Sequence, residues 1–177
     1  MTDVVQVRAF ERPGLVDSAN LLAVRKLATQ VANIFSIPEI IDGINQAHVF
    51  GASSAKVQAV ILKKMTDLGF QSERKGLFKD MTVSGIRPDY YKQLDGGGIL
   101  FEVERGKTIA NNMDLLDVWK THICPEAKHL FLMVPRIRVT GNHQVQKIFQ
   151  SVEKRIGTFF DEQAHDIDVE SVHLFGY

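Results

Sequence analysis

Three acidic residues stand where they could hold a cation. They lie in Arg87-Pro88-Asp89-Tyr90-Tyr91 and, after a glycine-rich break, in Gly96-Gly97-Gly98-Ile99-Leu100-Phe101-Glu102-Val103-Glu104-Arg105-Gly106-Lys107. The second stretch has the composition of a β-strand, in which successive side chains alternate between faces. Phe101 and Val103 then point one way, and Glu102 and Glu104 the other. Two carboxylates about 7 Å apart on one strand face repel each other unless something positive lies between them. Asp89 sits on the preceding strand-like segment, across a turn at Asp95-Gly96-Gly97-Gly98 short enough to fold it back beside them. Three carboxylates at a sheet edge make a hard-oxygen set suited to Mg²⁺ or Mn²⁺. An acidic pair two residues apart is also the ordinary pattern of a solvated strand. The upstream Pro-Asp and the downstream Arg105 and Lys107 make the combination more informative than the pair.

The rest of the chain must position that hairpin. The spacing of Leu21, Val24, Ala28, Val31 and Phe35 predicts a helix over 17–35, capped by Asp17 or Ser18. Ser36 before Pro38, with Ile40, Ile41 and Ile44 following, predicts a second, short helix. Val57, Val60, Ile61 and Leu68 form one stripe of a helix that opens at Ser53-Ser54 and stops at Gly69. Lys56, Lys63 and Lys64 lie mostly off that stripe, as a solvated face or a phosphate-facing patch. A short strand is expected near 70–79, followed by strands over 86–92 and 99–104; Pro88 belongs at a strand start or an edge. Thr108 to Ile123 returns to helical period, with Ile109, Met113, Leu116, Trp119 and Ile123 on one side. Leu130–Val134, ended by Pro135, reads as a strand buried on both faces. A long helix over about 143–163 and a strand over 169–175 complete the pattern, with Phe159 and Phe160 in the helix's apolar stripe. The sum is one α/β domain over 1–177, in which 1–50 form a helical N-terminal extension to a core over 51–177.

Composition narrows the class. Lys plus Arg and Asp plus Glu both total 21, so net charge is zero, which weighs against a protein that coats nucleic acid non-specifically. The single cysteine, Cys124, excludes an intramolecular disulfide and a Cys-based zinc site and suits a reducing cytoplasm. The opening residues do not read as a signal peptide, and no apolar run approaches the roughly 20 residues that span a bilayer. The histidines, His48, His122, His129, His143, His165 and His173, make no HExxH or i,i+4 ligand pair. His122 and Cys124 are two apart, the wrong geometry on a helix for a nucleophile and its base. Gly96-Gly97-Gly98 lacks the spacing of a phosphate-binding loop and reads as a hairpin turn. Arg136, Arg138 and Lys147 read as a solvated loop that could touch a phosphate backbone.

The stretch from about Ser53 to Pro135 resembles the core of the PD-(D/E)xK nuclease superfamily, whose members include restriction, repair and recombination nucleases. That core runs helix, three-stranded antiparallel meander, helix, strand. The family's Pro-Asp matches Pro88-Asp89, its (D/E) matches Glu102, and its lysine position falls on Glu104. The last match is a departure, although some restriction endonucleases of the superfamily carry glutamate there and are active. A second departure lies in the helix at 54–68, which offers only Gln58 where many relatives carry an acid. The resemblance implies a restriction-endonuclease-like mixed sheet flanked by helices and a Mg²⁺- or Mn²⁺-dependent DNA endonuclease. A restriction-type enzyme, or a related one from a mobile element or phage, would act as a homodimer with one site per strand. Asp89, Glu102 and the Val103 carbonyl would hold the ion, which lowers the pKa of bound water. Glu104 would orient or deprotonate the nucleophile, and Lys107 or Arg105 would contact the phosphate and neutralise the transition state. The alternatives are a nuclease fold without activity, serving as a DNA-binding or assembly subunit, and a structural domain with an incidental acidic hairpin.

Overall fold

The computed structural model describes residues 5–48, 53–73, 78, 86–105, 107–141, 144–161 and 166–177. In chain order the elements are β1 (Gln6–Glu11), α1 (Ala19–Phe35), α2 (Pro38–Ala47), α3 (Ser54–Asp67), β2 (Gln71–Ser72), β3 (Tyr90–Lys92) and β4 (Gly98–Val103). They continue with α4 (Met113–His122), β5 (Ala127–Val134), β6 (Arg138–Val139), β7 (Val145–Gln146), α5 (Ile148–Gly157) and β8 (Ser171–Gly176). His143, His165, Gly106 and half of the segment expected near 70–79 lie outside the described residues.

A six-stranded mixed sheet runs β1-β8-β5-β4-β3-β2. Strands β2, β3 and β4 form an antiparallel meander, β5 joins β4 in parallel, β8 joins β5 in parallel, and β1 closes the edge antiparallel to β8. The α/β class, with a mixed sheet flanked by helices, is therefore the observed one. The helix, antiparallel meander, helix, parallel strand order is also present, as α3, β2-β3-β4, α4 and β5.

Strand β5 explains why its sequence is a continuous apolar run. Phe131 and Met133 pack beneath α1, α2 and α3 with Phe35, Ile44, Ile61 and Phe101. Leu130, Leu132 and Val134 pack on the opposite face with Val118 of α4 and Val152 and Ile156 of α5. With apolar layers on both faces, no alternation is expected. At the hairpin, Gly98 passes so close to Tyr91 that a Cβ would lie 2.6 Å from its ring. Any side chain there would push β3 off β4.

Four departures from expectation have physical causes. First, the N-terminal region is not a helical extension alone, because Gln6–Glu11 form strand β1 along β8. Gln6, Arg8 and Glu11 interrupt its apolar residues and most of its positions are exposed, so it shows neither a core run nor a clean alternation. Helices α1 and α2 share one apolar cluster with α3 and the sheet. Second, Ser18 caps α1 by accepting the Leu21 N–H at 3.1 Å, but α2 is capped by Ile37, and Ser36 instead closes α1. Third, the expected helix over about 143–163 is only Ile148–Gly157, because Val145 pairs with Val139 in a two-stranded ribbon, β6–β7.

Fourth, α4 starts at Met113, not Thr108, and it is turned over. Three residues of the apolar stripe face outward, Leu116 and Trp119 each 51% exposed and Ile123 48%. Trp119 is thus not a core residue. The buried face carries Asp114, Asp117, Val118 and Thr121. Asn112, in the left-handed region at φ 54°, redirects the chain into this helix.

Candidate active site

The inverted helix brings α4 against the acidic hairpin. Along β4, Phe101 and Val103 enter the cluster beneath α1–α3, whereas Glu102 turns to the opposite face, toward α4. The pairing of Tyr90 with Phe101 sets Asp89 beside Glu102, one step further along the hairpin. There the two lock together. The Asp89 carboxylate accepts the Val103 N–H at 2.7 Å, and the Asp89 N–H donates to Glu102 Oε2 at 3.3 Å. Glu104, two residues on, donates its N–H to the Met133 carbonyl at 2.8 Å, and its own carbonyl accepts the Tyr177 hydroxyl at 3.1 Å.

Two further charged residues arrive from α4. Lys120 Nζ donates to Glu102 Oε1 at 2.6 Å and to Asp117 Oδ1 at 3.0 Å. Asp117 is 1% exposed, and its second oxygen, Oδ2, is buried without a hydrogen-bond partner. An apolar stripe ordinarily marks a helix's inner face, so neither residue stands out in the sequence. The available signal was the series Asp114, Asp117, Lys120, a charged face repeating every three residues opposite the stripe.

The electrostatics follow from crowding carboxylates where water is excluded. Burial pushes Asp89 up to about 6, against the Val103 hydrogen bond and the nearby Lys120. Glu104 rises to about 8 through burial, then through Asp117 and Asp89. Asp117 rises to about 6, burial outweighing Lys120. Glu102 is held well above the usual carboxylate range by burial and by Asp117. Burial opposes the Lys120 charge, but Glu102 and Asp117 more than offset it, and its pKa moves up. The cluster holds four carboxyl groups and one ammonium, and it is short of positive charge.

The donors are hard oxygens. Among the described residues, no three acidic, histidine or cysteine side chains are grouped as a ready-made metal cage. Mg²⁺ does not require one, since it is commonly held by one or two carboxylates with water and phosphate completing its shell. The Asp89–Glu102 pair fits that demand.

The basic residues expected after β4 lie elsewhere. Arg105 Nε donates to His48 Nδ1 at 3.3 Å, toward the end of α2, and Lys107 is exposed. Gln58 contributes its backbone carbonyl, which accepts the Tyr90 hydroxyl at 2.7 Å. Tyr90 and Tyr91 are both buried, on opposite faces of the sheet. Cys124 is buried with its thiol pushed up to about 11 by burial, and His122 Nδ1 accepts the Asp168 N–H, so they do not act as a pair.

No protein-family model matches the chain, and no curated protein sequence is similar to it. Among solved structures, restriction endonuclease BglII complexed with a DNA 16-mer is similar over 97% of this chain and 75% of that one, at 10% sequence identity and a TM-score of 0.48. Among the described residues, no helix is long and apolar enough to cross a membrane.

Proposed function

We propose that this protein is a divalent-metal-dependent endonuclease that hydrolyses DNA phosphodiester bonds, of restriction type or a relative from a mobile element or phage. One observation carries the reading. The Asp89 N–H donates to the Glu102 carboxylate and the Asp89 carboxylate accepts the N–H of the next residue, Val103, in a carboxylate cluster with too little positive charge. Asp89 and Glu102, with the Val103 carbonyl, would hold Mg²⁺ or Mn²⁺. The ion, when bound, supplies Lewis acidity at a phosphoryl oxygen and makes water a stronger acid.

Glu104 is kept largely protonated at neutral pH by its buried, acidic surroundings. With the charge of the neighbouring carboxylates balanced, Glu104 would ionise and could orient an attacking water and accept its proton. Arg105 and Lys107, further along the chain, are suited to DNA phosphates flanking the scissile one. Cutting both strands with so small a domain calls for a homodimer.

Incubation with duplex DNA and Mg²⁺ should give strand cleavage that Glu102→Ala abolishes. Absence of both cleavage and divalent-ion binding would refute the proposal. A second reading is favoured by Lys120, which already neutralises Glu102. In that reading the domain is an inactive nuclease fold that binds DNA or assembles with other subunits, and it would bind DNA equally with and without Mg²⁺ and never cut it.

A further inference from the structure

We propose that Lys120, delivered by α4, is the basic catalytic residue of this site, and that Asp117 is the positioning residue that aims it. The inference rests on the hydrolytic reading above and assigns its transition-state cation to a helix, not to the strand position occupied by Glu104.

The geometry separates Lys120 from the other cations considered. Its ammonium lies 2.6 Å from Glu102, whose other oxygen accepts the Asp89 N–H, so it stands at the carboxylate pair itself. Arg105 is engaged with His48, and Lys107 is exposed. The Lys120 side chain is 24% exposed, whereas those of Glu102 and Asp117 are 5% and 1% exposed. It therefore stands between the buried acids and solvent, where a phosphate would have to enter.

Its two partners differ in kind. Asp117 is one helical turn away on the same element and stays with Lys120 whatever happens at the sheet. Glu102 belongs to the strand and is a candidate ligand. With Glu102 engaged as a metal ligand, its attraction for the ammonium would fall, while the Asp117 bond would persist. An ammonium has three donors, and the two acids use two of them. The released donor and the third can then turn to a phosphoryl oxygen, where negative charge builds as the P–O bond to the leaving group breaks. Asp114 does not compete for Lys120, because Arg155 stands 3.2 Å from it.

The test uses the full chain with duplex DNA and Mg²⁺, with Mn²⁺ binding measured by calorimetry and folding by circular dichroism. Lys120→Met should lower kcat by about 100-fold, the order lost when one transition-state donor is removed, with KM changed little. Mn²⁺ binding should be retained or tightened, since a competing cation has gone. Asp117→Asn should lower kcat less and leave Mn²⁺ binding in place. A folded Lys120→Met that cuts at the wild-type rate overturns the assignment, as does one that loses Mn²⁺ binding together with cleavage. If Lys120→Met fails to fold, Lys120→Arg decides: the charge is kept but the point donor is lost, so a kcat equal to wild type overturns it and a clear fall supports it. A wild-type protein that cuts no DNA with Mg²⁺ or Mn²⁺ refutes the hydrolytic reading itself, and this role falls with it.

Discussion

At the scale of single residues, the molecule holds two sets of buried titratable groups that respond to pH in opposite senses. Glu104, raised to about 8, keeps a proton in the folded state that the unfolded chain releases near its ordinary value of 4.5. Its contribution to stability is complete at low pH and is lost as pH rises through 8. Glu104→Gln removes that dependence, so the variant should gain on wild type in urea denaturation as pH is raised from 5 to 9. On the other face of the sheet, His129 and His173 are both lowered to about 4, chiefly by burial. Their contribution is present above 6.5 and lost as pH falls toward 4, on the order of 2 kcal/mol each at pH 5. His129 has partners at both ring nitrogens, Ser171 at 2.9 Å and Asn20 at 3.0 Å, whereas His173 Nε2 is buried with none. His173→Phe should therefore stabilise the protein more at pH 5 than at pH 8, and equal gains at the two would contradict the assignment. The three acids of the hairpin were legible in the sequence because strand alternation and a glycine turn leave little freedom. Asp117 and Lys120 were not, because their placement depends on which way a helix faces, and that is a tertiary property.

Among the elements, α4 shows how the site alters ordinary packing. A helix normally buries its apolar stripe. Here the sheet face opposite α4 carries Glu102, and the helix answers with Asp117 and Lys120, leaving Leu116, Trp119 and Ile123 outside. Leu116→Glu should change stability by no more than about 0.5 kcal/mol, while Val118→Ala, on the buried face, should cost about 2 kcal/mol. Chemical denaturation of the two variants checks the orientation directly. Entry into the helix rests on Asn112, whose side-chain oxygen accepts from Arg155 at 2.6 Å while its backbone is left-handed. Asn112→Ala loses both the bond and the tolerance of that conformation, so it should cost about 1 kcal/mol more than Asn112→Gly. Helices α1 and α3 and strands β4, β5 and β8 were all legible, since each carries a clean period or a continuous apolar run. The β6–β7 ribbon was not. It exposes Val139 and Val145, so the apolar residues that suggest a longer α5 belong to a surface turn.

Over the whole molecule, the sheet is a partition. Its α1–α3 side is mostly apolar and its α4–α5 side carries the charged cluster at one end. A cation at that cluster relieves like-charge repulsion only in the folded state, so it should raise the melting temperature. Saturation to one hundred times the dissociation constant stabilises a single site by about 2.7 kcal/mol. Mn²⁺ should produce such a rise in wild type and not in Glu102→Ala, and the rise should be larger at pH 8 than at pH 5.5, where protons already occupy Glu104 and part of Asp89. Strand β1 has a consequence of another kind. It pairs with β8 in the register Gln6 with Gly176, so β1 can find its neighbour only after the other strands of the sheet have been translated. At ordinary elongation rates that is a wait on the order of 10 s or more. Asp89, Glu102, Asp117 and Lys120 are all synthesised well before then, so the hairpin and α4 can form on the ribosome before the sheet is sealed.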